Sequence, residues 1–231
     1  MCPMKHTDKE VPLLECANKQ AGYFTAKQAE KAGYSYRLHS YHVGTGRWVK
    51  VERGVFRFRH FPPAERGDLI RWTLWSRNQK DQPQMVVSHE TALAVHELSD
   101  VMPAKLHFTV PIGFRKKTPK AIVIHKADLK ETAIEKREGY SVTTPLRTLI
   151  DVAEGNLSEE EMAKALRDAI DKGLIQLRKI DVTKMTEKGK LRMLMAIKAV
   201  EERKARGGTE EKRGNGDQTL TPGVEVKFGN K

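Results

Sequence analysis

Between Thr25 and Pro62, helix starts, helix stops and a tight turn follow one another so closely that only short helices and a hairpin fit. Thr25, with Gln28 three residues on, is a capping box, in which each side chain satisfies an amide the helix start leaves open. It opens a helix with Ala26, Ala29 and Ala32 inside and Gly33 as its stop. Ser35 caps the next helix, which runs to about Val43 before Gly44, Thr45 and Gly46 break it. Two short strands, 48–51 and 55–59, then flank Glu52-Arg53-Gly54 as a hairpin. Upstream, residues 7–20 read as a helix with Leu13, Leu14 and Ala17 on one stripe, ended by Gly22. Pro12 sets a second candidate start for it. Three helices and a hairpin in this order predict a winged helix-turn-helix over residues 7–62. The small side chains of its second helix let the third cross closely.

Charge is concentrated in that segment. The chain has 231 residues and a formal net charge of +12, and half of the excess lies in residues 1–62. Residues 35–60 hold Arg37, Arg47, Lys50, Arg53, Arg57 and Arg59 against Glu52 alone. Such a cluster favours a polyanionic partner, because neutralised phosphates release condensed counterions. With Leu38 and Tyr41 taken as inward, Tyr36 and Ser40 point outward from the third helix, with Arg37 and His39 on its flanks and His42 packed. Arg53 sits at the hairpin tip. Arg57 and Arg59 alternate with Phe56 and Phe58, so the arginines are expected on the outer face. Lys27 and Lys31 lie on the second helix. The predicted DNA-binding set is therefore Lys27, Tyr36, Arg37, His39, Ser40, Arg47, Lys50, Arg53 and Arg57.

The remainder predicts a second, α+β domain with a small sheet over residues 64–180. A helix at 66–76 carries Leu69, Ile70, Trp72 and Leu74, and a short strand at 85–87 precedes a helix at 89–98 capped by Ser88. Strands are expected at 105–110, 121–125 and 141–142, with 132–137 as a pairing partner for the last. Thr144 caps a helix at 145–153, and Ser158 with Glu161 forms a second capping box opening 159–172, with Met162, Ala165, Leu166 and Ala169 inward. A helix over 181–206 presents Leu191, Leu194, Ile197 and Ala199 as its apolar positions. The Gly- and charge-rich tail, 207–231, is expected to be disordered.

Other chemistry is weakly signalled. His89-Glu90 and His96 lack the i, i+4 spacing of a metalloprotease helix. Glu225-Val-Lys227 matches the end of a nuclease motif but lies in the tail, and Asp128 and Asp151 stand alone. The expectation is no enzyme, no metal and no cofactor. With two cysteines, no run of 18 apolar residues and no apolar stretch at the N-terminus, a cytoplasmic protein is expected, with no membrane partner.

Four stretches resemble the AbiEi antitoxin family of abortive-infection systems, a phage-defence class of type IV toxin–antitoxin. They are Gly22-Tyr-Phe-Thr-Ala-Lys-Gln-Ala29 with Gly33, Val51-Glu-Arg-Gly-Val-Phe-Arg-Phe58, Val87-Ser-His-Glu-Thr-Ala-Leu93, and Val142-Thr-Thr-Pro-Leu-Arg-Thr-Leu-Ile-Asp151. The resemblance spans roughly residues 10–178. It implies a winged helix that binds double-stranded operator DNA and represses its own operon, and a second domain serving antitoxicity and aiding repression. The implied functional partner is a nucleotidyltransferase-like toxin, AbiEii, countered without a stable complex. Relatives also occur as stand-alone transcriptional regulators or fused to nuclease-like domains. A single winged helix buries little surface, so a homodimer on DNA or paired binding to an inverted repeat is expected.

Overall fold

The computed structural model describes residues 10–100 and 103–214. The capping box at Thr25 is formed: Thr25 Oγ1 accepts the Gln28 amide at 3.2 Å, and Gln28 Oε1 accepts the Thr25 amide at 2.7 Å. Around it run α1 (Glu10–Asn18), β1 (Tyr23–Thr25), α2 (Ala26–Lys31), α3 (Tyr36–Gly44), β2 (Trp48–Glu52) and β3 (Val55–Phe58). The strands form an antiparallel sheet in the order β1-β3-β2. This is a winged helix-turn-helix. Strand β1 was not foreseen: three residues between Gly22 and a capped helix are too few to show an alternating pattern.

The core of this unit is aromatic. Trp48 is buried, with Phe24 at 4.8 Å edge-on, the His42 ring stacked at 4.6 Å and Tyr34 at 5.2 Å. Phe56 and Phe58 complete the cluster. Truncating an aromatic side chain in such a setting costs about 3–5 kcal/mol.

The other face of the small sheet is also covered. Helix α4 (Gly67–Trp75) lays Ile70 and Leu74 against Val55, with Tyr23 and Val51 beside them. A five-stranded sheet follows, in the order β6-β5-β4-β8-β7, built from β4 (Val86–Val87), β5 (Leu106–Val110), β6 (Ile122–Lys126), β7 (Ile134–Arg137) and β8 (Tyr140–Thr143). Strands β5 and β6 are parallel neighbours, so the chain must cross over between them, and the loop 111–121 does so. Helices α5 (His89–Val95), α6 (Pro145–Glu154), α7 (Glu159–Asp171) and α8 (Glu187–Gly214) share a core of Leu93, Leu149, Met162, Leu166, Met193 and Val200. The chain is thus α+β, as its sequence predicts, with the capping box of Ser158 and Glu161 formed at the start of α7.

Two expectations need correction. Ser35 and Ser88 precede α3 and α5 but neither side chain caps its helix; the buried hydroxyl of Ser88 accepts from Thr109 Oγ1 at 2.8 Å and meets His89 Nδ1 at 2.9 Å. In α8 the inward residues are Met193, Ala196 and Val200, whereas Leu191 and Leu194 are exposed. The phase is set by Arg192, which donates to the carbonyls of Val152, Ala153, Gly155 and Leu157 at the end of α6. A guanidinium is the group best suited to a helix C-terminus, whose last carbonyls lack partners. Helix α8 continues to Gly214, past the expected end at 206. The rest of the expected tail, with Glu225-Val-Lys227, lies outside the described residues.

Gly22 has φ +82°, and a Cβ there would meet the Phe61 ring at 2.3 Å. Gly22→Ala is expected to lower unfolding free energy by at least about 2 kcal/mol, combining left-handed strain with overpacking. Urea denaturation checks this; an unchanged midpoint would show that the 59–62 segment does not close on the winged helix.

Candidate nucleic-acid interface

Helix α3 carries its polar face outward because two histidines turn inward. His39 is 3% exposed; its Nε2 lies 3.2 Å from the Tyr34 carbonyl, and its ring packs against Trp48 and Phe56. His42 is buried against the same indole, and burial, aided by the Arg47 charge, holds it below the ordinary histidine pKa. A neutral imidazole packs as an aromatic ring. His39 therefore leaves the predicted DNA-binding set, since a side chain closed in by the core cannot touch a duplex. The rotation also brings out residues read as inward: Tyr41 is 56% exposed and Leu38 36%. At about 3.6 residues per turn, the face opposite the histidines is led by Arg37 and Tyr41, with Ser40 and Leu38 beside them. Tyr36 is 74% exposed at the helix start. Tyr41 is the exposed residue of this face that sequence reasoning missed. The i, i+3 histidine pair facing a nearby Trp was the available signal, but hydrophobicity ranks Leu and Tyr as the more inward residues.

The sheet register sorts the remaining cations. Lys50 lies opposite Phe56, on the face that α3 packs against, and is exposed. Arg47 and Arg53 are exposed at the start of β2 and at the hairpin tip. Arg57 lies opposite Val49 and Tyr23, on the face turned to α4. Its guanidinium donates to the carbonyls of Phe61 at 2.6 Å and Pro62 at 2.7 Å, and lies 5.5 Å from the Tyr23 ring centre. Arg57 is thus a clamp on the 59–62 segment, not a free cation, because pleat alternation places it on a covered face. Arg59 donates to the Gly46 carbonyl at 2.7 Å. Lys27 is exposed on α2 and donates to the Gln79 carbonyl at 2.9 Å. The structure keeps Tyr36, Arg37, Ser40, Arg47, Lys50, Arg53 and Lys27 at the surface and withdraws His39 and Arg57.

A second polar concentration lies at the end of the larger sheet. His89 stacks on His125 at 3.5 Å, and His107 Nδ1 lies 2.9 Å from Glu90 Oε2. Burial and the neighbouring His125 push the His89 pKa down to about 3, while the His107 hydrogen bond holds Glu90 at about 2. His96 Nε2 meets the Thr143 carbonyl at 2.7 Å. Asp128 accepts the Ile112 amide. Asp151 is buried and accepts from Arg147 Nε at 2.8 Å, and burial still raises its pKa to about 6. Among the described residues no group of three or more His, Cys, Asp or Glu is arranged to hold a metal ion, and no helix is long and apolar enough to cross a membrane.

The winged helix thus leaves its third helix bare on one side, with Arg37, Ser40 and Tyr41 exposed there. Residues 12–59 match a family model described as a transcriptional regulator, AbiEi antitoxin, and so bear out the resemblance over the N-terminal unit. No match was found among curated proteins. Among solved structures the chain is similar to a crystal structure of the RV2827C protein from Mycobacterium tuberculosis, at 13% identity over 82% of each chain, with a TM-score of 0.45.

Asp151 supplies a signed test of the polar core. Its folded pKa, about 6, lies above the value of 3.8 for an unburied carboxyl, so the fold favours its neutral form. That stabilisation is complete below about pH 4 and is lost as pH rises through about 6, a change on the order of 3 kcal/mol. Relative to Asp151→Asn, the wild-type protein is expected to lose stability between pH 4 and 7 in thermal melts; parallel profiles would show that Arg147 fully compensates the charge.

Proposed function

We propose that this protein is a DNA-binding autoregulator of the AbiEi antitoxin type, acting by binding rather than catalysis in the cytoplasm. The winged helix, taken as residues 7–62, contacts double-stranded operator DNA. The observation that carries this reading is the outward face of α3, where Arg37, Ser40 and Tyr41 stand exposed beside Lys50. A side chain such as Arg37 can reach a guanine edge in the major groove, whereas Lys27, Arg47, Lys50 and Arg53 neutralise phosphates. The exposed Leu38 and Tyr41 offer apolar contact to thymine methyl groups. A homodimer or two copies on an inverted repeat would supply the buried area that specific binding needs.

The second unit, taken as residues 64–180 with the C-terminal helix packed on it, serves the antitoxin role in this reading. It counters a nucleotidyltransferase-like toxin of the AbiEii type encoded alongside, without a stable complex. The AbiEi antitoxin description matched by residues 12–59 supports an antitoxin role for the chain. A nuclease-like activity is the less favoured reading, because Asp151 is engaged by Arg147 and Glu90 by His107.

Five exposed cations, Lys27, Arg37, Arg47, Lys50 and Arg53, give an expected log–log salt slope of about −4 to −5 for binding to the DNA upstream of the gene. Arg37→Ala and Ser40→Ala are expected to relax sequence preference, and Arg53→Ala to weaken all duplexes alike. Fluorescence anisotropy under rising salt checks both. Binding no tighter than to random duplex would refute specific repression, and equal loss of preference from all three variants would show that α3 does not read the bases.

A further inference from the structure

One concavity of the described residues lies outside the α3 face. It is a cleft of about 880 Å³ between the winged helix and the second unit. Six cations line it from four separate segments: Lys27 of α2, Arg53 of the hairpin tip, Arg77 and Lys80 after α4, and Arg115 and Lys116 of the β5–β6 crossover. One carboxylate lies among them, Asp81, and it is already engaged by Arg77 at 3.2 Å and Lys31 at 3.7 Å. Cations on an ordinary protein surface are interspersed with carboxylates. Here they converge with almost no counter-charge.

The framework of the cleft is fixed by neutral partners. Lys116 donates to the carbonyls of Trp75 and Arg77 at the end of α4, where a cation is favoured, and its ammonium lies 5.2 Å from the Trp75 ring centre. Lys27 crosses the cleft to the Gln79 carbonyl. Arg77 donates to Gln20 Oε1 at 3.2 Å, and Gln20 is itself paired with Gln28, the capping residue of α2. Its Nε is buried without a partner. Carbonyls hold Lys27 and Lys116 in place but leave their charge uncompensated, while Arg77 shares Asp81; burial together with the nearby Lys27 lowers the Lys116 pKa. Assembling like charges costs free energy that an anion in the cleft would return. The segments that supply Lys80 and Arg115 are anchored by their neighbours, so those two exposed side chains are presented without supporting the fold themselves.

We propose that this cleft is a phosphate-binding site, separate from the α3 face, which takes a phosphodiester backbone or a free polyphosphate group. The cations are spread over an open cleft rather than gathered round one point, which suits a chain of phosphates. The backbone of a duplex lying on the winged helix, as in the functional reading above, is one source; a small phosphate-bearing ligand is the other. Either would tie the winged helix to the second unit, since the lining comes from both.

The test uses the full chain, with Lys80→Gln/Arg115→Gln as the cleft variant and Arg37→Ala as the α3 variant. Inorganic tripolyphosphate is titrated by calorimetry at low ionic strength. Wild type and Arg37→Ala are expected to bind it alike, and the cleft variant at least tenfold more weakly; each single substitution is expected to take part of that loss. In parallel, the salt dependence of duplex binding is compared for wild type and the cleft variant. A slope flatter by about 2 assigns the cleft to the DNA backbone. An unchanged slope with lost tripolyphosphate binding assigns it to a free phosphate ligand. If neither binding nor slope changes, the site is refuted. Should wild type fail to bind duplex at all, the DNA-binding reading falls while the tripolyphosphate titration still decides the cleft.

Discussion

The packing of Trp48 governs the N-terminal unit of this molecule. Its indole sits where α3 meets the sheet, between Phe24, Tyr34, His42 and Phe56. Because two of its partners are histidines of α3, the indole fixes the rotation of that helix about its own axis. That rotation decides which side chains meet solvent. The surface chemistry of the helix is thus a consequence of a buried aromatic contact, and Arg37 and Tyr41 are outside because His39 and His42 are inside.

The sheet applies the same logic to charge. One residue of register separates Lys50, which shares the α3 side, from Arg57, which faces α4 and closes the linker. Basic residues in this segment therefore divide between two tasks. Some hold the fold through carbonyl contacts, as Arg57 and Arg59 do; others remain available. A count of arginines in the sequence overstates the binding surface, because a guanidinium is also an effective clasp for backbone carbonyls. The second unit is no loose appendage either. Helix α4 covers the sheet with Ile70 and Leu74, and Arg77 joins the Gln20–Gln28 pair, so a cleft lined by both halves has a defined shape.

Much of this was legible where the signal is local. Both capping boxes formed at the residues that announce them, and the inward stripe of α7 is the one its spacing shows. Such features depend on residues three or four apart and on little else. What the sequence hid depends on distant partners. The phase of α3 needed knowledge of Trp48, and that of α8 needed the open carbonyls at the end of α6, which Arg192 reaches. Strand β1 exists only because β3 pairs with it. Of the nine residues read as DNA contacts, His39 and Arg57 are engaged inside the fold, each claimed by a partner from another segment. The cleft was the least visible feature: its cations are scattered from Lys27 to Lys116, and only the fold brings them together.

Hydrogen exchange measured with and without a duplex from the region upstream of the gene addresses the central claim most directly, since it reads every backbone amide at once. The account predicts slowed exchange across α3 and the hairpin tip, residues 36–44 and 50–55, with α7 unchanged. Protection confined to the second unit, with the α3 amides exchanging at their free rate, would contradict it.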